Sequence, residues 1–176
     1  MSGIIRILYV TASGERGGAE IVLKTLIEQL DRARFEPAVI CLREGPLVAS
    51  LRQQTGVDVA VVPAGRFRNA VRGLATVWYL RREIRARRSA VVHCNGTGAH
   101  LYAGIAARLS GVPSLYHLHD TVEWSWTRQG IVHLLAVLMP ADATVAVSDF
   151  VARRFRESWG TSRTVSIIHN GVVTPE

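Results

Sequence analysis

Seven short runs of apolar and β-branched residues recur along the chain, at 4–10, 37–42, 57–62, 90–94, 114–118, 143–147 and 164–168. Each is nearly continuous in hydrophobicity instead of alternating, the pattern of strands buried on both faces of a parallel sheet. Segments with helical periodicity lie between them. In the first, Val22, Leu23, Leu26, Ile27 and Leu30 share a face, and Glu20 stands four residues before Lys24, which predicts an ion pair on the outer side. Further helices are predicted over 46–54, 69–88, 99–110, 127–139 and 149–159. Gly56, Gly111 and Gly160 occupy C-cap positions, and Pro140 closes the helix before it.

Strands alternating with helices specify an α/β fold: a doubly wound, mostly parallel sheet of about seven strands with helices on both faces. Right-handed crossovers bring the strand C-terminal ends to one edge, and ligands bind outside that edge where the strand order reverses. The residues just after each strand are therefore the ones to read for chemistry. At roughly 150 residues per domain, a soft prior, 176 residues predict one domain over 1–176, without internal repeat or linker. The chain stops at 173–176, just after a strand and a turn and before any closing helix, which reads as a domain boundary.

Composition narrows the class. With 48% apolar and 20% charged residues the chain is globular, not disordered. A domain of this size buries about 70% of its unfolded surface and needs no disulfide or metal to fold. Cys41 and Cys94 sit inside apolar runs and read as buried thiols in a reducing compartment. No apolar run approaches the roughly 20 residues of a membrane span. The best, 131–139, is short and carries His133. Arg6 interrupts the N-terminal apolar run and no small-residue cleavage site follows, so a signal peptide is not expected. The expected location is the cytoplasm, or the inner face of a membrane if the arginines described next serve that surface.

The net charge of +7 is concentrated. Arginines 66, 68, 72, 81, 82, 85, 87 and 88 face one acid, Glu83, within 23 residues, while the rest of the chain holds 13 basic and 13 acidic residues. Such a segment is either a solvated helix in an arginine-rich protein, with Lys24 the only lysine, or a patch for an anionic surface, with Arg81, Arg82, Arg85 and Arg88 as its core. Its apolar positions form an untidy stripe: Val71, Leu74, Ala75 and Trp78 share a face, whereas Val77, Leu80 and Ile84 drift to another. No recognition-helix, zinc-finger or RNA-platform motif accompanies the arginines, so no nucleic-acid partner is expected.

The strand ends carry the candidate chemistry. After the first strand, Ser13-Gly14-Glu15-Arg16-Gly17-Gly18-Ala19-Glu20 opens a helix. Adjacent glycines there allow either tight strand–helix packing or close backbone approach to a phosphate or other anion. The spacing is neither G-x-G-x-x-G nor a P-loop, and the second strand ends in Arg43 without a ribose-binding acid, which disfavours a nicotinamide enzyme. The fourth strand ends His93-Cys94-Asn95-Gly96-Thr97-Gly98, where Asn95 or Thr97 caps the next helix or meets a ligand. The fifth ends Tyr116-His117-Leu118-His119-Asp120. His119 beside Asp120 can hydrogen-bond a sugar hydroxyl, transfer a proton or orient a neighbour. His117 points the same way, and with His93 the pair could make a metal site, a weak signal from H-x-H alone. Trp124 and Trp126 fall in a predicted loop and suit a sugar face, lipid or the core. Ser148-Asp149 opens the last helix as a cap or as a ligand contact, and His169-Asn170-Gly171 forms a turn after the last strand.

In their order, Gly17-Gly18-Ala19-Glu20, His119-Asp120, the run from Ala141 to Ser148 and Asn170-Gly171-Val172 together resemble the N-terminal domain of family 4 glycosyltransferases of the GT-B fold. The resemblance covers nearly the whole chain and only half of such an enzyme. It implies a Rossmann-like domain that shapes the acceptor site of a retaining, metal-independent hexosyltransferase-like enzyme using a nucleotide-sugar donor and no other cofactor. Its acceptor would be a cell-envelope glycan, a polysaccharide or a lipid-linked sugar. The C-terminal donor-binding domain, with its glutamates in E-x7-E spacing, is expected outside this chain, which alone would be inactive. By the same resemblance His119 is the catalytic-site histidine that contacts the transferred sugar. Gly17, Gly18, Asn95, Gly96, Asp120, Ser148 and Asn170 are the substrate-side candidates, with Asn170 beginning the crossing to the second domain. The competing readings are a stand-alone α/β module that binds a phosphorylated small molecule, a different Rossmann-like enzyme such as a nucleotide-sugar modifying enzyme, and a membrane-surface adaptor that uses only the arginine segment.

Overall fold

The computed structural model describes residues 3–53, 57–62, 70–121, 128–161 and 163–171. The expected positions at Gly56, Arg66, Arg68, Trp124, Trp126 and 172–176 lie outside them. Seven strands form one sheet: β1 (Ile5–Thr11), β2 (Phe35–Cys41), β3 (Asp58–Val61), β4 (Val91–Asn95), β5 (Ser114–Leu118), β6 (Ala143–Ala146) and β7 (Ser166–Ile167). Their order is β3-β2-β1-β4-β5-β6-β7, and every pairing is parallel. Six helices connect them: α1 (Gly18–Glu28), α2 (Pro46–Arg52), α3 (Ala70–Ala86), α4 (Thr97–Ser110), α5 (Arg128–Leu138) and α6 (Asp149–Trp159).

The near-continuous hydrophobicity of the strands has a direct cause: alternate residues feed different cores. From β1, Leu8 and Val10 join Val77, Leu80 and Ile84 of α3 and Ala99, Tyr102 and Ala103 of α4. Tyr9 points the other way, into a core with Leu23 and Ile27 of α1 and Leu47, Val48 and Leu51 of α2. A third cluster continues the α3–α4 side beneath α5 and α6, around Tyr116, Val137, Val151 and Phe155. Cys41 and Cys94 are both fully buried free thiols, and burial pushes the Cys41 thiol up to about 12. Gly111 and Gly160 end α4 and α6 in the left-handed conformation, at φ 69° and 53°.

One expected contact is corrected. Lys24 pairs with Glu28, one turn later, and not with Glu20. The Glu20 carboxylate instead turns back over the start of α1 and accepts from the Thr11 hydroxyl at 3.3 Å. There it lies beside Gly17 at the start of α1, near the positive end of the helix dipole, which an outward pair with Lys24 would forgo.

Candidate active site

The sheet order reverses between β1 and β4: from β1 the chain winds outward to β2 and β3, and from β4 it winds outward to β5, β6 and β7. Helices starting from these two neighbouring strands diverge, so a crevice opens above their C-terminal ends. Its floor is tight. Gly96 holds φ 87°, a conformation that disfavours any side chain, and a Cβ on Gly98 would lie 3.0 Å from that of Ala12. The crevice has a volume of 840 Å³ and brings together Gly17, Gly18, Asn95, Gly96, His119, Asp120 and Asn170, residues spread over more than 150 positions of sequence.

His119 stands at its centre, just past the end of β5. Its Nε2 lies 2.7 Å from Asn95 Oδ1 at the end of β4. Burial pulls its pKa down to about 4, so the ring is neutral near pH 7. Behind it, His117 packs ring to ring at 4.1 Å, and His117 Nδ1 meets His93 Nε2 at 3.1 Å, one nitrogen donating and the other accepting. Burial, then the neighbouring histidines, holds His117 near 4 and His93 near 3. The three rings run in a row through the sheet edge, and among the described residues no three histidine, cysteine or acidic side chains are grouped to hold a metal.

At the α1 edge of the crevice the expected free helix N-terminus is partly taken. Gly17 is the N-cap and supplies no side-chain acceptor, and the Glu20 carboxylate lies 2.5 Å from where a Cβ on Gly17 would be. A glycine there leaves room for an internal anion, and a phosphate at the same helix start would meet its negative charge. Glu20 is thus a crevice residue that its helical spacing concealed; its place one turn inside a Gly-Gly start was the available signal. Thr97, expected as a cap or a ligand contact, also lines the crevice, and so does His133, which the sequence marks only as interrupting an apolar run.

Ser148 is not brought to the crevice wall; its hydroxyl accepts from the Val151 N–H at 3.2 Å and caps α6. Glutamates with seven residues between them do occur in this chain, at Glu20, Glu28, Glu36 and Glu44. They do not share a site, because Glu28 pairs with Lys24, Glu36 with Arg6 and Glu44 with Arg52, and of the four only Glu20 lines the crevice.

The arginine segment is α3, and its untidy stripe resolves into two. Val77, Leu80 and Ile84 face the core, while Val71, Leu74 and Trp78 are 76%, 63% and 58% exposed. Arg82 and Arg85 continue that outward face, and Arg81 lies over the Trp78 ring at 4.9 Å. Arg88 is exposed at the helix end, whereas Arg87 is turned to Asp58 and Glu83.

Comparison with known proteins follows the same geometry. The profile of Glycosyltransferase Family 4 matches residues 16–175. HepE of Anabaena, solved with UDP and glucose, superposes with a TM-score of 0.75 at 24% identity, over 96% of this chain and 45% of that one. A glycosyltransferase of Rickettsia africae gives 0.77 at 18% identity, over 97% and 44%. The lipopolysaccharide outer core galactosyltransferase WaaB gives 0.69 at 16%, over 96% and 46%. The chain therefore spans less than half the length of each of these structures. No curated protein matches the sequence.

Proposed function

The chain belongs to Glycosyltransferase Family 4, and from that premise we propose that it is the N-terminal, acceptor-side half of a retaining glycosyltransferase. A nucleotide sugar is the donor, and a second, donor-binding half supplies the opposite wall. The observation that carries the reading is the crevice at the strand-order reversal, which gathers the glycine turn, the Asn95–His119 pair and Asn170 on one open face. Retaining transfer builds positive charge on the sugar and negative charge on the departing diphosphate. A neutral, buried imidazole and the α1 N-terminus are fixed dipoles of the kind that meet such charges without reorganising. No metal ion is assigned a step. The phosphate-binding module is the weaker reading, because the family match runs over residues 16–175 and so takes in all of the crevice lining except Ala12.

The acceptor is proposed to be a cell-envelope glycan or lipid-linked sugar presented at the inner face of an anionic membrane. None of the described helices is long and apolar enough to cross a membrane, so the contact would be peripheral. The support is the outward face of α3, apolar at its first turns and cationic after them. A crossover helix runs antiparallel to its strands, so those first turns lie toward the crevice edge of the sheet.

The test is sugar transfer measured with a panel of nucleotide sugars, by the chain alone and with the donor-side half of a family member added. The expected result is none alone and transfer on reconstitution, lost in His119→Ala. Turnover by the isolated chain would refute the half-enzyme reading. Phosphorylated metabolites that bind at Gly17, with no transfer under either condition, would favour the module.

A further inference from the structure

One side chain ties the two ends of the candidate site together. Asn95 is 4% exposed, its Nδ2 donates to the Ala19 carbonyl of α1 at 3.3 Å, and its Oδ1 meets His119 Nε2 at 2.7 Å. An amide has its acceptor on one atom and its donors on the other. With the nitrogen held by a carbonyl, which can only accept, the oxygen is the atom left for His119. That oxygen also only accepts, so the hydrogen between them belongs to Nε2. In a neutral imidazole the second nitrogen is then bare. Nδ1 of His119 has no protein partner among the described residues, and the ring lines the crevice.

We infer that Asn95 is a positioning residue that fixes His119 as its Nε2–H tautomer, so that His119 offers the crevice a hydrogen-bond acceptor, Nδ1, matched to a hydroxyl donor and mismatched to a phosphate oxygen. The amide also links this choice to α1, because the carbonyl that orients it belongs to the turn that follows Gly17 and Gly18. That the hydroxyl is a sugar's rests on the transferase reading; the tautomer does not.

Nitrogen-15 NMR of histidine-labelled chain, with the His119 signals identified by their loss in His119→Gln, reads the tautomer directly. Near pH 7 the wild type should show a single Nε2–H form. Asn95→Ala should release it to a mixture. Asn95→Asp, nearly isosteric, should keep Nε2–H and raise the His119 titration midpoint by about 1 to 3 pH units, since a carboxylate favours the protonated ring. An Nδ1–H wild type, or a tautomer and midpoint unmoved by both substitutions, overturns the inference. Failure of sugar transfer on reconstitution with the donor-side half, while the Nε2–H ring and its response to both substitutions stand, counts against the transferase reading and not against the role of Asn95.

Discussion

Gly14 and Gly45 stand where the loops after β1 and β2 meet. A Cβ on Gly14 would come 2.7 Å from the Gly45 backbone nitrogen and closer still to the Arg43 carbonyl, while the Leu47 N–H donates to the Gly14 carbonyl at 2.8 Å. Backbone cannot swing aside as a side chain can. Gly14→Ala is therefore expected to cost about 1–3 kcal/mol of overpacking, read as a lower urea midpoint, whereas Gly18→Ala, with open space around its Cβ, should leave the midpoint nearly unchanged. At this scale the sequence is uneven evidence. His119 and Asn95 could be found because topology puts strand ends at the ligand edge. Glu20 was hidden by its spacing, because Lys24 has a glutamate four residues to either side and helical pairing favours the wrong one. Only its place one turn inside the Gly-Gly start pointed elsewhere. The decision fell to Thr11 and the α1 dipole, which only the folded chain brings beside Glu20.

Among the elements, α6 shows a cap with a measurable effect. Ser148→Ala removes the acceptor for the Val151 N–H and should lower stability by about 1 kcal/mol in denaturant unfolding. It should leave the proposed sugar transfer on reconstitution unchanged, since Ser148 is not part of the crevice lining. For α3 the expected outcome is co-sedimentation with phosphatidylglycerol-containing vesicles that fades as salt is raised. It should be weakened by Arg82→Glu with Arg85→Glu, and by Trp78→Ser. Equal binding to pure phosphatidylcholine, or none to either, removes the membrane from the proposal. Helix positions were legible from periodicity, and α6 begins and ends where the pattern put it. The edge strands were less so. β3 and β7 each pair on one side only, and their ladders, over 58–61 and 166–167, are shorter than the β-branched runs that predicted them.

For the molecule as a whole, the buried histidines set an acid limit. His93 is held near pKa 3, and His100, His117 and His119 near 4, by burial, against about 6.5 in an unfolded chain. Below pH 6.5 the unfolded chain takes up protons that the folded one refuses, so stability is full above that pH and is lost as pH falls toward 4. The urea midpoint should drop between pH 7 and pH 5; a flat profile would mean these rings are not held neutral in the native state. The sheet itself was foreseeable from alternating strands and helices, and the strand-end positions of His93, His117 and His119 suggested their grouping. The hydrogen bond between His93 and His117, 24 residues apart on neighbouring strands, was not legible. The position of β1 has one more consequence. It is made first, yet lies between β2 and β4, pairing Thr11 with both Cys41 and Asn95. On the ribosome, its second flank must wait for more than 50 further residues after β2 is complete. Until then the middle of the future sheet is an open edge, so a nascent chain that pauses in this interval presents a ready template for pairing with another chain.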